Sequence, residues 1–184
     1  MKQRRQKKLS RRLFGAIVVG DSGLVKAVLR AGADPRRVDS EGTTPLYAAS
    51  VNGEAAIVRL LLSAGALPDA ESSGIGAEGL PLCAAACWGH TDTVRELLAH
   101  GADPNIREDH GTGRTPLEWA NSGPHPETVA LLTEAGVTAP GWVIGEHGGY
   151  SGMAGHMGAA RAGGAPAYGE NLARSARGDS GVVA

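Results

Sequence analysis

Two landmarks recur along the chain at matched intervals. Leu13, Leu46, Leu82 and Leu117 are separated by 33, 36 and 35 residues, and Gly32, Gly65, Gly101 and Gly136 by the same three intervals. Landmarks that keep step through unequal intervals demand a repeated structural unit. A period of roughly 20–50 residues is that of a solenoid, in which each unit buries its apolar faces against its neighbours.

Each unit reads as helix, turn, helix and extended finger. Thr44-Pro45 and Thr115-Pro116 place a hydroxyl cap before a proline at the first helical position, a strong helix start. The first helix is short and rich in small residues such as Ala48, Ala49 and Ser50, which lets neighbouring units approach closely. Asn52-Gly53 ends it. Ile57, Val58, Leu61 and Leu62 then fall on one stripe of a second helix that stops at Gly65. Ala84, Ala85, Gly89, Val94, Leu97, Leu98 and Gly101 repeat the scheme, as do Ala120, Gly123, Val129, Leu132 and Gly136.

The phrases themselves resemble the ankyrin repeat. Thr44-Pro45-Leu46-Tyr47 and Thr115-Pro116-Leu117-Glu118 match its opening, Gly89-His90 its mid-unit pair, and Gly32-Ala33-Asp34-Pro35 and Gly101-Ala102-Asp103-Pro104-Asn105 its ending. The resemblance implies an all-α, ankyrin-type helix-turn-helix solenoid with finger loops beside a concave groove. It also implies partner binding rather than catalysis. Four units follow, at about 13–38, 39–74, 75–109 and 110–137. The first lacks the Thr-Pro-Leu opening, the third starts Leu80-Pro81-Leu82, and the fourth is irregular around Pro124-His125-Pro126. Terminal units of a solenoid are expected to be atypical.

The ends differ from the middle. Residues 2–12 carry seven basic side chains and no acidic one, whereas residues 141–184 hold twelve glycines. Residues 1–12 are read as a basic head, chiefly a solvated helical cap, with contact to nucleic acid or acidic membrane as the alternative. Residues 138–184 are read as a disordered tail. A structured cap around Trp142-Val143-Ile144 and a short helix near Glu170 to Arg177 are the alternatives there. Ser10 to Phe14 resemble a twin-arginine export signal, but the following apolar run stops within eight residues, and the same residues fit the repeat register. No run is long enough to span a membrane. The net charge of −1 offers no global field for a polyanion. Cys83 and Cys87 read as free thiols of a reducing compartment, so the chain is expected to be cytoplasmic and monomeric.

Little in the sequence assembles chemistry. Gly74-Ile75-Gly76-Ala77-Glu78-Gly79 fits a phosphate-loop spacing but lies in a finger, where no apolar strand precedes it. Cys83, Cys87 and His90 resemble soft metal ligands without a fourth, and they define the alternative reading of a small enzyme or metal-binding protein. His90 reads as structural, bonding backbone near a helix start; His110 and His125 fall in loops, His147 and His156 in the tail. Asp34, Asp69 and Asp103 recur after the second helices and are expected to bond turn backbone. Trp119, in register with Ala48 and Ala84, is expected to fill the stack. No cofactor and no small-molecule substrate is expected.

The expected function is therefore binding of a protein partner through the groove and fingers. Ser40, Glu41, Thr43, Val51 and Asn52 of the second unit form one part of that face. Gly79, Cys87 and Trp88 of the third, with Thr112 and Arg114 of the last finger, complete it. Trp88 at the end of a first helix is the expected anchor.

Overall fold

A computed structural model describes residues 2–74 and 76–136; the readings for the tail, including those for Trp142-Val143-Ile144, His147 and His156, lie outside the described residues. The first unit consists of α1 (Lys2–Val18) and α2 (Ser22–Arg30), the second of α3 (Pro45–Val51) and α4 (Ala55–Ser63). A hairpin of β1 (Ser72–Gly74) and β2 (Ala77–Gly79) leads to α5 (Pro81–Cys87) and α6 (Thr91–Ala99). A single turn, α7 (Glu108–Gly111), precedes α8 (Pro116–Ala120) and α9 (Pro126–Glu134).

The helices form two rows. α1, α3, α5 and α8 pack successively in one, and α2, α4, α6 and α9 in the other, each unit pairing one helix from each row. Leu13, Leu46, Leu82 and Leu117 are all buried, and a single cluster runs without interruption from Leu9 to Leu132. Burying each such leucine contributes about 1.5–3 kcal/mol, so the periodic landmarks are also the main cohesive contacts. The finger expected to be flexible between units two and three is instead an antiparallel hairpin, with Ser72 opposite Gly79 and Gly74 opposite Ala77.

The basic head is not a separate element. α1 passes through residue 12 unbroken, turning Leu9, Leu13, Phe14, Ala16 and Ile17 into the core. Leu13 and Phe14 of the signal-like stretch are thus core residues. Arg5 Nη2 and Gln6 Nε2 donate to the carbonyls of Ala31 and Gly32, at 3.1 and 2.8 Å, completing the C-terminal end of α2.

Helix starts are capped as the hydroxyls promised. Thr44 Oγ1 accepts from Tyr47 N at 3.1 Å. Thr115 and Glu118 form a reciprocal capping box, with bonds of 3.2 and 2.8 Å. α5, which lost its threonine, has no side-chain cap at its own N-cap residue, but that residue's amide is satisfied from outside: Leu80 N donates to Glu108 Oε1 at 3.3 Å. Thr44 N donates to Ser72 Oγ at 3.3 Å in the same way, so a residue of the next finger serves each of these two helix starts.

The turns between paired helices are interlocked. Gly20, Gly53 and Gly89 adopt φ of 69°, 70° and 69°, the left-handed region open to glycine. A Cβ at Gly20 would meet Glu54, one at Gly53 would lie 2.6 Å from His90 Nδ1, and one at Gly89 would meet the ring of His125. His90 Nε2 donates to Val51 O and His125 Nε2 to Cys87 O, both at 3.0 Å. His90 is structural, as expected. His125 is its counterpart one unit on, 35 residues later, not a loop residue without a role. Gly89→Ala is expected to lower stability more than Gly32→Ala. Both lose about 1–2 kcal/mol to left-handed backbone, but only Gly89 faces a ring, Gly32 having open space beyond it. Urea unfolding of the two variants measures the difference; equal losses would show that the histidine yields freely.

Candidate functional site

Adjacent fingers are bonded sideways into a continuous wall. Ser73 N donates to Gly42 O at 3.3 Å, and Asp109 N donates to Glu71 Oε1 at 2.8 Å. The wall leans on the first-helix row: Tyr47 Oη donates to Glu78 O at 2.9 Å, over the start of α3. As a consequence Pro45–Ser50 and Pro81–Ala86 are buried throughout, and only the C-terminal ends of those helices reach solvent.

This packing divides the expected binding residues. Ser40, Glu41, Asn52, Trp88 and Thr112 are exposed, and Val51 and Cys87 are half-buried. Trp88 retains 40% of its surface at the C-terminal cap of α5. Thr43 and Gly79, expected on the face, are buried. Thr43 is enclosed because its N–H donates to Asp39 Oδ1 at 3.0 Å and its backbone abuts Gly74 of the hairpin. Gly79, at φ 119°, lies against Glu108, with Tyr47 beyond. Neither can be offered to a partner. Arg114 is half-buried and already engaged: its guanidinium lies 4.8 Å from the Trp119 ring centroid, and Nη1 donates to Ser122 Oγ at 3.1 Å.

Trp119 packs against the core cluster as expected, but with only part of its surface. It is half-buried at the finger side of α8, where its Nε1 donates to Glu108 Oε2 at 2.5 Å and Arg114 covers its face. Glu108 thus ties α5, the last finger and α8 together, a role that no sequence pattern announces. Burial raises its carboxyl above the usual glutamate value. The Trp119 and Leu80 bonds pull it back, and the charges of Asp109 and Glu71 add to the rise.

The cysteines are poorly placed for metal chemistry. Cys83 is buried and directs Sγ at Arg114 O, 3.7 Å away; Cys87 is half-buried. Burial pushes both thiols up, and the Glu108 charge pushes them further, so the thiolate that a metal requires is disfavoured. His90 commits its Nε2 to Val51 O. Among the described residues no group of three or more His, Cys, Asp or Glu side chains is placed to hold a metal ion.

The recurring aspartates need one correction. Asp34 Oδ1 accepts from Arg36 N, and Asp103 Oδ1 from Asn105 N, each at 2.9 Å and two residues on. Asp69 is not their counterpart. Counting from Gly65, that position is held by Leu67, which is 50% exposed. Asp69 instead accepts from Asp103 N across the unit boundary at 3.2 Å. Val19 and Val38 are exposed as well; Val19, 71% exposed, lies in register with Asn52 and Trp88.

Two rows of antiparallel helix pairs joined by stacked fingers define a helix-turn-helix solenoid. Residues 13–108 and 74–140 match the family described as ankyrin repeats in three copies, and the chain belongs to the ankyrin repeat family. It is also similar to the potassium channel KOR1 of Oryza sativa subsp. japonica, with 32% identity over 164 positions, covering 73% of this chain and 19% of that protein. The chain therefore spans about a fifth of that relative's length. No helix among the described residues is long and apolar enough to cross a membrane.

Because the folded state binds the Glu108 proton more tightly than the unfolded chain, this group favours folding fully below pH 4.5. That contribution is lost as pH rises through the raised folded value. Glu108→Gln removes the titration. The urea midpoint of wild type relative to the variant is expected to fall as pH rises from 4.5 through the raised folded value. A constant gap, or one moving the other way, would contradict the assignment.

Proposed function

We propose that the chain is a non-enzymatic protein-binding module of a cytoplasmic setting, acting as a single copy. Its partner lies across the finger tips and the exposed first-helix ends. Ankyrin repeats generally mediate protein–protein interaction, and the chain belongs to that family. The observation that carries the surface assignment is the division of burial in the first-helix row. Stacking and finger contact consume α3 up to Ser50 and α5 up to Ala86, which leaves Asn52 and Trp88 as the solvent-facing ends of those helices. Ser40, Glu41 and Thr112 extend the face along the fingers. Substitution at such positions leaves the stack intact, and the scaffold's fold does not dictate its partner. The rice relative is a potassium channel, but with 19% of its length shared no channel activity is carried over.

Trp88 supplies the aromatic surface on which binding energy concentrates. Trp88→Ala is expected to leave the helical circular dichroism and melting temperature nearly unchanged. It should weaken affinity for the captured partner by about 30-fold or more, as removal of a central aromatic does. Capture from native extract identifies the partner, and titration of the two purified proteins measures the loss. Unchanged affinity together with a large drop in melting temperature would place the indole in the core and remove the anchor.

A further inference from the structure

The near-zero net charge conceals a strong segregation. Residues 2–30 carry nine Lys and Arg against the single acid Asp21, a net of +8; the remaining nine Lys and Arg face eighteen acids, a net of −9. The positive share is concentrated on one helix. Arg4, Lys7, Lys8, Arg11 and Arg12 occupy positions i, i+3, i+4, i+7 and i+8 of α1 and are all exposed. None of the five is hydrogen-bonded or ion-paired to another described residue.

The arrangement works against the helix. Arg4 and Lys8, Lys7 and Arg11, and Lys8 and Arg12 are like charges at i, i+4, which repel. No acid stands in the first turn of α1, where the macrodipole favours one. The fold gains nothing visible from the stripe itself, because Leu9, Leu13, Phe14 and Ile17 on the other side do the packing. An anionic partner would relieve the repulsion.

We infer that this stripe binds the phosphate backbone of double-stranded DNA without reading its sequence. The stripe spans just over two turns, about 12 Å, and wraps roughly 140° of the helix circumference. A convex cationic arc of that size suits the B-form major groove, about 12 Å wide with a phosphate strand on either wall. A bilayer is a poorer fit: a flat surface meets only the crest of the arc, and Leu9, Leu13 and Phe14 are turned into the core, leaving nothing apolar to insert. A protein partner is poorer too, since protein interfaces are centred on aromatic and aliphatic anchors, which the stripe lacks. A-form RNA has a major groove too deep and narrow to admit α1, whose inner face is held against α2 and α3. The five side chains are all Lys or Arg, so the expected contacts position the protein on phosphate rather than discriminate bases.

The test is fluorescence anisotropy of the full chain with a short DNA duplex across a salt series. Five phosphate contacts give a slope of log Kobs against log salt of about −4.5, a loss of roughly 500-fold between 50 and 200 mM salt. Neutralising Lys7→Gln, Lys8→Gln and Arg11→Gln together should reduce the slope's magnitude by about 2.7. Arg95→Gln on α6 should leave it unchanged, and so should the charge-retaining pair Lys7→Arg and Lys8→Arg. If the neutral variant loses helical circular dichroism, the wild-type slope and the charge-retaining pair decide. Salt-insensitive binding, no binding at low salt, or a slope indifferent to neutralisation in a folded variant overturns the inference. So does tighter binding to phosphatidylserine vesicles or to an RNA duplex than to the DNA. Partner capture through Trp88 is read separately, and its outcome leaves this result untouched.

Discussion

No internal unit of this chain can leave either flat face in water. Each helix pair is too thin to enclose a core, so its leucines and alanines are buried only when another pair lies on each side. That constraint explains why Leu46, Leu82 and Leu117 agree while the surface residues around them differ. It also explains the interlock at the turns. A stack held by aliphatic contact alone could slide. Setting His90 over Gly53 and His125 over Gly89, each ring bonded to a carbonyl of the preceding unit, fixes the offset between neighbours.

The same constraint decides what is free. Ordinary surface reasoning would offer the whole outer side of a short helix to a partner. Here the fingers lean back over the first-helix row, so α3 and α5 are closed up to their last residues. The solvent-facing ends then inherit whatever recognition the scaffold performs. Trp88 is large, apolar and unshielded at such an end. Trp119, in register with the buried Ala48 and Ala84, packs against the core with part of its surface and meets the polar groups of Glu108 and Arg114 with the rest.

Periodic features were legible in the sequence because periodicity is what the stack imposes. The leucines, the terminal glycines, the threonine caps and the role of His90 all follow from position within a unit. What was illegible came from contacts between fingers. Thr43 and Gly79 look like loop residues in a string of letters, and only the sideways pairing of fingers encloses them. Glu108 repeats nothing: it accepts the N–H of Leu80 across the finger boundary and answers an indole eleven residues on. His125 was recoverable, since adding 35 to His90 reaches it, but the prolines on both sides disguised the register. Asp69 shows the opposite failure, in which a shared residue type suggested an equivalence that counting from Gly65 denies.

Charge follows the one-dimensional logic as well. The outer side of α1 is exposed, so its side chains are released from packing and can hold charges that a buried face could not. That side of α1 carries cations alone, while the units behind it carry most of the acids. With a Debye length of about 8 Å at physiological salt, the two regions do not cancel for anything that approaches closely. A polyanion meeting the +8 end senses little of the −9 beyond it, and its approach is oriented by the gradient between them. A net charge near zero therefore describes the solubility of this chain and says little about its contacts. A repeated scaffold with dissimilar ends can hold an electrostatic partner at one end and an aromatic-anchored one across its fingers, because units that touch only their neighbours transmit neither requirement to the other.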